Sequence, residues 1–321
     1  MGSSLVTPLT LLVRYHIEKQ GMPPQMQFQS IGLKEEVVEL YPEFKLRIRA
    51  SIDRCKVSNE MNLQLMGLRE IPREVLKVPG IHELRLDQNQ NLKFPNGIPP
   101  ELKNLKLLSV RNCCFAELPA SVSVLAKLTT LDLQENCLNE IPVTISRLKR
   151  LGKLDLSKNR IYQLKPGLGV LDHLEYMNID GNCISELPPD LSSCKSLQTL
   201  NCARNRLTEL PADYCGLLAL RRLNIENNRL LKLPPAIKNM RLEVLRVGYN
   251  SIEIFPDDMF SGDLGRTLKK FSCQENNLLE LPISIKEVVN DIVLEAEFNP
   301  LVSPPSQVLS EGFRVSGRTC G

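Results

Sequence analysis

Hydrophobic and polar positions repeat along most of the chain with a period of about 23 residues. One unit starts at Leu128 and the next at Leu151; in both, leucines follow three and five residues later and an asparagine follows after eight. The same frame fits ten units between residue 58 and about residue 290, and an eleventh, partial unit runs through Asn299. Since a unit this short cannot bury its own leucines, neighbouring units must stack, and the pattern predicts a solenoid.

Each unit has two parts. In the segment Leu131-Asp132-Leu133 hydrophobic and polar residues alternate, which predicts a short strand whose leucines face the core. A Leu-Pro or Ile-Pro step such as Ile141-Pro142 follows, and it predicts an extended stretch that leads into a short helical or 3₁₀ segment. We therefore expect an α/β solenoid, with a parallel strand ladder on its concave face and short helical, 3₁₀ and extended segments on its convex face.

The asparagine that follows each strand stands where the chain must turn toward the core. Its amide can donate to a backbone carbonyl and accept from a backbone N–H, and leaving such a buried group unpaired costs about 1–3 kcal/mol. We assign this structural role to nine asparagines: Asn89, Asn136, Asn159, Asn182, Asn205, Asn228, Asn250, Asn276 and Asn299. Cys113 takes the same position in the unit from Leu105, and we interpret it as structural rather than as a reactive thiol.

The first 57 residues do not fit the repeat. A helix is predicted to start near Thr7 and to end at Gly21, and a second short helix is predicted over residues 34–41. The stretch from Glu43 to Cys55 alternates as a strand would, yet it directly precedes the first repeat, where a capping helix is common, and we choose a helix.

These features divide the chain into three parts. Residues 1–57 form a mostly helical segment that caps the first repeat, residues 58–312 form the solenoid, and residues 313–321 form a C-terminal tail. A docking helix for a partner is the alternative role of the first part. Two units are longer than the rest, around residues 96–100 and 261–266, and we expect these insertions on loops away from the strand ladder.

Composition and motifs argue against several kinds of function. The chain has 40 basic and 37 acidic residues, and this near balance gives no reason to expect a nucleic-acid partner. Its histidines, His16, His82 and His173, lie in different units, and together with the scattered cysteines they give no zinc-ligand spacing. Phosphate-binding loops and nucleophile motifs are missing from the sequence. We predict no enzyme activity, no metal, no cofactor and no small-molecule substrate.

The cellular compartment is predicted from features that the sequence lacks. No hydrophobic run is long enough to insert into a membrane. The ten cysteines form no CxxC pair and no cluster at either end of the array, and no Asn-X-Ser/Thr glycosylation site occurs. We therefore expect the reducing cytoplasm rather than the cell exterior.

The unit LxxLxxLxLxxNxLxxLPxxI resembles the repeats of the intracellular Ras-group leucine-rich-repeat proteins and of the repeat domains of Scribble-type scaffolds. The ending from Asn299-Pro300-Leu301 to Val308 is also similar to the terminal repeat of such arrays. The resemblance covers about three quarters of the chain. It implies a leucine-rich-repeat horseshoe that acts as a signalling adaptor by gripping a folded protein on its concave face.

Candidate binding residues come from the register of the repeat. Residues beside the strand leucines face the concave side, and arginine and tyrosine are the types that most often anchor protein interfaces. We choose six such residues as the partner-binding set, centred on residues 176–249: Lys153, Tyr176, Arg204, Arg222, Arg246 and Tyr249. A solvated face of mixed charge is the simpler alternative.

Three functions compete. The protein is a signalling adaptor that binds a partner protein through its concave face, or a structural subunit of a large intracellular assembly held partly by its N-terminal segment. A receptor ectodomain is the third, and the missing glycosylation sites and cysteine caps argue against it.

Overall fold

A computed structural model describes residues 42–93, 99–302 and 314–315. Within these ranges twelve strands form one open sheet in chain order, and the first eleven pair in parallel. The predicted helices near Thr7 and over residues 34–41 lie outside the described residues, as does most of the insertion around residues 96–100. The strands are β1 Glu60–Asn62, β2 Glu83–Arg85, β3 Leu107–Ser109, β4 Thr130–Asp132, β5 Lys153–Asp155, β6 Tyr176–Asn178, β7 Thr199–Asn201, β8 Arg222–Asn224, β9 Val244–Arg246, β10 Lys270–Ser272, β11 Ile292–Glu295 and β12 Arg314–Val315.

The strand register stacks equivalent positions of successive repeats. Leu131 of β4 pairs with Leu154 of β5, and both side chains are fully buried. The residues on either side of each central leucine face the opposite side of the sheet, as the two-residue period of a strand requires. The predicted ladder, with its apolar side toward the core and its polar side on the concave face, is confirmed.

The convex side consists mainly of 3₁₀ turns, which begin directly after a proline except at Leu168–Val170, where Gly167 precedes the turn. Pro142, for example, has φ −67° and ψ 140°, an extended conformation, and the turn that follows buries Ile145. The turns are Pro100–Asn104, Ala120–Val124, Val143–Arg147, Leu168–Val170, Pro189–Ser193, Ala212–Gly216, Pro235–Asn239 and Ile283–Glu287. A turn needs less chain than a full α-helix, and this is how one repeat closes within about 23 residues.

One unit carries a longer convex segment, where a short helix, Asp263–Thr267, replaces the 3₁₀ turn. Its Gly265 packs so closely that an added Cβ atom would lie 2.0 Å from the carbonyl oxygen of Phe260. The insertion expected at residues 261–266 therefore lies on the convex side, away from the strands.

A helix caps the first repeat. It runs over Pro42–Ser58, which confirms the helix chosen for residues 43–55. Ile48 and Cys55 are buried, and Ser51 Oγ donates a hydrogen bond to the carbonyl oxygen of Asn62 at the end of β1 (2.8 Å). In the first repeat itself, a short helix of four residues, Arg73–Leu76, follows strand β1.

The other end of the sheet is covered by strand β12. It pairs antiparallel with β11, with Ile292 opposite Val315. A paired strand covers hydrogen-bonding groups that β11 would otherwise expose at a sheet edge.

The asparagines after the strands connect neighbouring repeats. Asn159 Oδ1 accepts a hydrogen bond from the N–H of Leu138 (3.0 Å), and its Nδ2 donates to the carbonyls of Leu133 (3.0 Å) and Leu156 (2.9 Å). All nine asparagines of this row make equivalent bonds. At Cys113 the Sγ donates to the carbonyl of Leu86 instead (3.3 Å).

Candidate functional site

The concave face carries four rows of outward-facing residues that run across the strands. The first row contains the residues that open the strands, such as Lys153, and the second the residues that close them, such as Asp155. The third and fourth rows follow in each repeat, two and three residues after the second, as at Ser157 and Lys158. Because each row is held by backbone pairing, its side chains stand at fixed intervals of about 4.8 Å.

The fourth row has a left-handed backbone. Lys158, Arg204 and Tyr249 all have φ between 52° and 56°, and the same conformation recurs in nearly every repeat. This strained backbone turns the chain inward to the buried asparagine, and it fixes where the fourth-row side chains leave the surface.

Two of the predicted binding residues touch each other. Lys153 of β5 and Tyr176 of β6 are direct neighbours in the first row, and Lys153 Nζ lies 5.0 Å from the centre of the Tyr176 ring. Burial raises the pKa of the Tyr176 hydroxyl, and the nearby Asp155 carboxylate adds to this effect. The phenol is therefore a neutral hydrogen-bonding group at physiological pH.

Arg204 is already engaged by an acid. Its Nε donates to Asp180 Oδ1 at 2.8 Å, and its Nη2 pairs with the second oxygen of the same carboxylate. In the same row Lys158 Nζ lies 2.7 Å from Glu135 Oε1, and this hydrogen bond lowers the pKa of Glu135. Both cations are partly neutralised within the fold.

Arg222, Arg246 and Tyr249 are available to a partner. Arg222 and Arg246 make no ion pair within the described part of the chain. Tyr249 is 46% exposed in the fourth row. The predicted set thus spreads over three rows from β5 to β9: Lys153–Tyr176 and Arg222–Arg246 are two local groups, and Arg204 and Tyr249 stand at the opposite margin.

A short row of asparagines lies between these groups and was missed by sequence reasoning. Asn178, Asn201 and Asn224 occupy the second row in three successive strands. The Oδ1 of each accepts the N–H of the residue two positions later, at 3.1–3.2 Å, which fixes the side chain. The NH₂ group of Asn178 also donates to Asp155 Oδ2 (3.1 Å). The recurrence of asparagine directly after the central Met or Leu was the signal that could have found them.

The early repeats present acids instead. Asp87, Asp132 and Asp155 lie close enough that burial, followed by the charges of the other two carboxylates, raises the pKa of Asp132. Over β2–β5 the concave face therefore holds clustered carboxylates among cations such as Arg111 and Lys158, whereas amides and arginines prevail over β6–β9.

The described residues form neither a metal-binding cluster nor a disulfide. Among the residues that the structure describes, no group of three His, Cys, Asp or Glu side chains could hold a metal ion. The nine cysteines in these ranges are free thiols, and burial raises the pKa of Cys113 to about 11. None of the helices in the same ranges is long and apolar enough to cross a bilayer.

Comparison with known proteins identifies the repeat. The profile of the family described as Leucine rich repeat matches residues 103–161, 149–207 and 172–230. Among solved structures, a leucine-rich-repeat protein of Leptospira interrogans shares the fold at 20% identity and a TM-score of 0.61, over 82% of this chain and 78% of that one. The short repeats and the single ladder are thus features of a widespread architecture.

Two receptor structures have the same fold. The Arabidopsis receptor kinase HAESA, in complex with the peptide hormone IDA and the co-receptor SERK1, is 23% identical with a TM-score of 0.60, over 75% of this chain and 46% of that one. TLR13 in a complex with ssRNA13 is 22% identical with a TM-score of 0.61, over 72% of this chain and 34% of that one. The chain spans half or less of these two receptors.

Proposed function

Since this chain is a leucine-rich-repeat protein, we propose that it is a non-enzymatic scaffold or adaptor that holds a partner protein against the concave face of its strand ladder. The leucine-rich-repeat fold is generally a protein–protein interaction module. The HAESA complex, in which such a receptor holds a peptide hormone, is in keeping with this use of the fold.

One observation carries the proposal: two arginines stand on adjacent strands of the concave face and form no ion pair in the described ranges. Arg222 opens β8 and Arg246 closes β9, beside the amide of Asn224. Two planar guanidinium groups held on a rigid ladder lose little freedom when they bind a carboxylate. We therefore take Arg222 and Arg246 as the centre of contact, with Tyr176 and Tyr249 at its margins.

We place this function in intracellular signalling. The sequence has no glycosylation site, and the cysteines of the described ranges are unpaired thiols, both of which suit a reducing compartment.

Affinity purification from cells, followed by mass spectrometry, tests the concave site. The chain with Arg222→Glu and Arg246→Glu should recover the partner at least about tenfold less well than the wild type, since removing one partner of a buried charge pair at an interface costs about 2–5 kcal/mol. Arg206→Glu with Arg229→Glu is the matched control, because these arginines are also exposed in neighbouring repeats but lie beyond the fourth row. Both doubles should unfold at the wild-type temperature, and equal partner recovery by the two doubles would refute the site.

The assembly-subunit function has its own supporting observation. The capping helix exposes apolar side chains, with Leu46 at 67% and Val57 at 88% exposure. If deletion of residues 1–40 removes partner recovery while the Arg222 and Arg246 double does not, the protein is held through its N-terminal segment.

A further inference from the structure

The side of the ladder where the chain enters the strands carries a second charged surface. We call this side the leading edge; it comprises the four residues before each strand and the first residue of the strand. Over β3–β5 it presents six exposed cations: Lys103, Lys106, Lys127, Lys149, Arg150 and Lys153. None of the six forms an ion pair with any residue that the structure describes.

Backbone hydrogen bonds hold these cations side by side. The N–H of Thr129 donates to the carbonyl of Lys106 (2.8 Å), that of Gly152 to Thr129 (2.8 Å), and that of Glu175 to Gly152 (2.9 Å). Three adjacent units separated by about 4.8 Å therefore carry six like charges, which repel one another until an anion binds between them. The acidic residues before β6, such as Glu175, end the cluster.

A depression opens in the middle of this surface because one side chain is missing. Gly152 occupies the position that Lys106, Thr129 and Gln198 take in other repeats. The resulting open hollow of about 660 Å³ is lined by the cations Arg150 and Lys153, by Thr129, Thr130, His173 and Tyr176, and by one acid, Glu175.

The fold does not require a glycine at this place. A Cβ atom added to Gly152 would lie 3.5 Å from the carbonyl oxygen of His173 and 3.7 Å from that of Thr129, which is ordinary van der Waals contact. Gly152 also lacks the positive φ that some other glycines of the chain show. Its missing side chain therefore shapes the surface without being needed for the backbone.

We propose that this depression receives an aspartate or glutamate side chain of a partner protein, and that the surrounding cations of the leading edge hold the rest of an acidic segment. Arg150 and Lys153 supply the charge, and His173 offers ring nitrogens for hydrogen bonding. This surface shares Lys153 and Tyr176 with the concave set but does not include Arg222 and Arg246. Substitutions at Arg222 and Arg246 therefore test the concave site, and substitutions at Lys149 and Gly152 test the leading edge.

An acidic protein segment fits this surface better than a nucleic acid does. The cations extend over only three repeats, and the acids Asp132 and Asp155 of the concave face lie directly beside them. A nucleic-acid strand needs a longer basic track and free aromatic faces for its bases. The ring of Tyr176, which borders the depression, is approached by Lys153.

Fluorescence anisotropy with the full-length protein tests the proposal. The probe is a short labelled peptide in which glutamate and serine alternate, with the glutamine–serine peptide as a neutral control and a labelled single-stranded oligonucleotide as the competing ligand. The acidic peptide should bind saturably, and added salt should weaken the binding because the contacts are between exposed charges. The neutral peptide should not bind.

Three variants separate a shaped site from general attraction. Lys149→Glu should weaken binding about tenfold, whereas Lys195→Glu, at the same register position two repeats later, should change it less than about twofold. Gly152→Gln fills the depression without changing the charge and should weaken binding about fivefold, with unfolding as in the wild type.

Three outcomes would overturn the proposal. They are equal losses for Lys149→Glu and Lys195→Glu, unchanged binding by Gly152→Gln, and an oligonucleotide that binds more tightly than the acidic peptide and displaces it.

Discussion

Lys153 Nζ lies 5.0 Å from the centre of the Tyr176 ring, across the adjacent strands β5 and β6. An ammonium group at this distance is attracted to the ring face, and at exposed sites the attraction is worth about 0.5–1 kcal/mol. The pair thus joins the basic leading edge to the concave face at the rim of the depression beside Gly152.

We expect this attraction to appear as coupling between the two side chains. Lys153→Met, Tyr176→Leu and the double variant form a double-mutant cycle that keeps both apolar stems. The free energies of unfolding in urea should give a coupling free energy of about 0.5 kcal/mol between the two side chains. Each single substitution already removes this attraction, so the double variant should lose less stability than the sum of the two single losses. Strictly additive effects of the two substitutions would show that the contact contributes nothing to stability.

Asn205→Ala should be strongly destabilising. Asn205 Oδ1 accepts the N–H of Ile184 (3.0 Å), and Nδ2 donates to the carbonyls of Ile179 (2.9 Å) and Cys202 (3.1 Å). Alanine leaves these groups without the side-chain partner, and we expect a loss of about 2–4 kcal/mol, measured as a lower urea midpoint.

Asn139→Ala is the matched control for this loss. Asn139 is exposed, and its side chain makes no hydrogen bond with any residue that the structure describes. The free energy of unfolding of this variant should stay within about 0.5 kcal/mol of the wild-type value. If Asn205→Ala behaves like Asn139→Ala, the row of buried asparagines does not stabilise the ladder.

The repeat made much of this fold predictable from the sequence. Because a strand alternates its faces, fixing Leu131 and Leu154 in one register also fixes which neighbours point outward. The positions of Lys153, Arg222 and Tyr249 on the concave face follow from that register alone. β12 could not be predicted in this way, since Arg314 and Val315 lie outside the repeat.

Pairing between side chains could not be read from the pattern. Both Arg204 and Arg222 are predicted from the sequence to face the concave side, but only Arg204 pairs with an aspartate of the preceding repeat. The depression at Gly152 likewise depends on neighbours 21 to 24 residues away in the chain, whose side chains surround a gap. Such features depend on the reach of side chains between repeats, which periodicity does not encode.

Gly265→Ala should disrupt the convex segment of its repeat. The new Cβ would lie 2.0 Å from the carbonyl oxygen of Phe260, and backbone atoms can move apart only by deforming the helix Asp263–Thr267. We expect a loss of more than about 2 kcal/mol in the free energy of unfolding. At Gly216, where an added Cβ meets nothing within 4 Å, alanine should be tolerated. Equal thermal midpoints for the two variants would contradict the close approach at Gly265.

Asp132→Asn should stabilise the protein at neutral pH. Burial, reinforced by Asp155 and Asp87, raises the pKa of Asp132, so its ionised form is less favourable in the folded state than in the unfolded chain. Asparagine keeps the acceptor for the N–H of Gln134 (3.1 Å) and gives up only a long contact from Arg111 Nε (3.8 Å).

The pH dependence of this effect follows from the sign of the shift. A carboxyl whose pKa is raised by folding stabilises the protein fully only below its unfolded pKa, and this contribution is lost as the pH rises through the folded pKa. The advantage of Asp132→Asn over the wild type, which we expect to be below about 1 kcal/mol, should therefore be largest at pH 7 and shrink as the pH falls toward 4. Urea midpoints of both proteins across this range measure it, with Asp172→Asn, at an exposed position, as the control for losing one negative charge. An advantage that grows as the pH falls would mean that the carboxylate at position 132 stabilises the folded ladder.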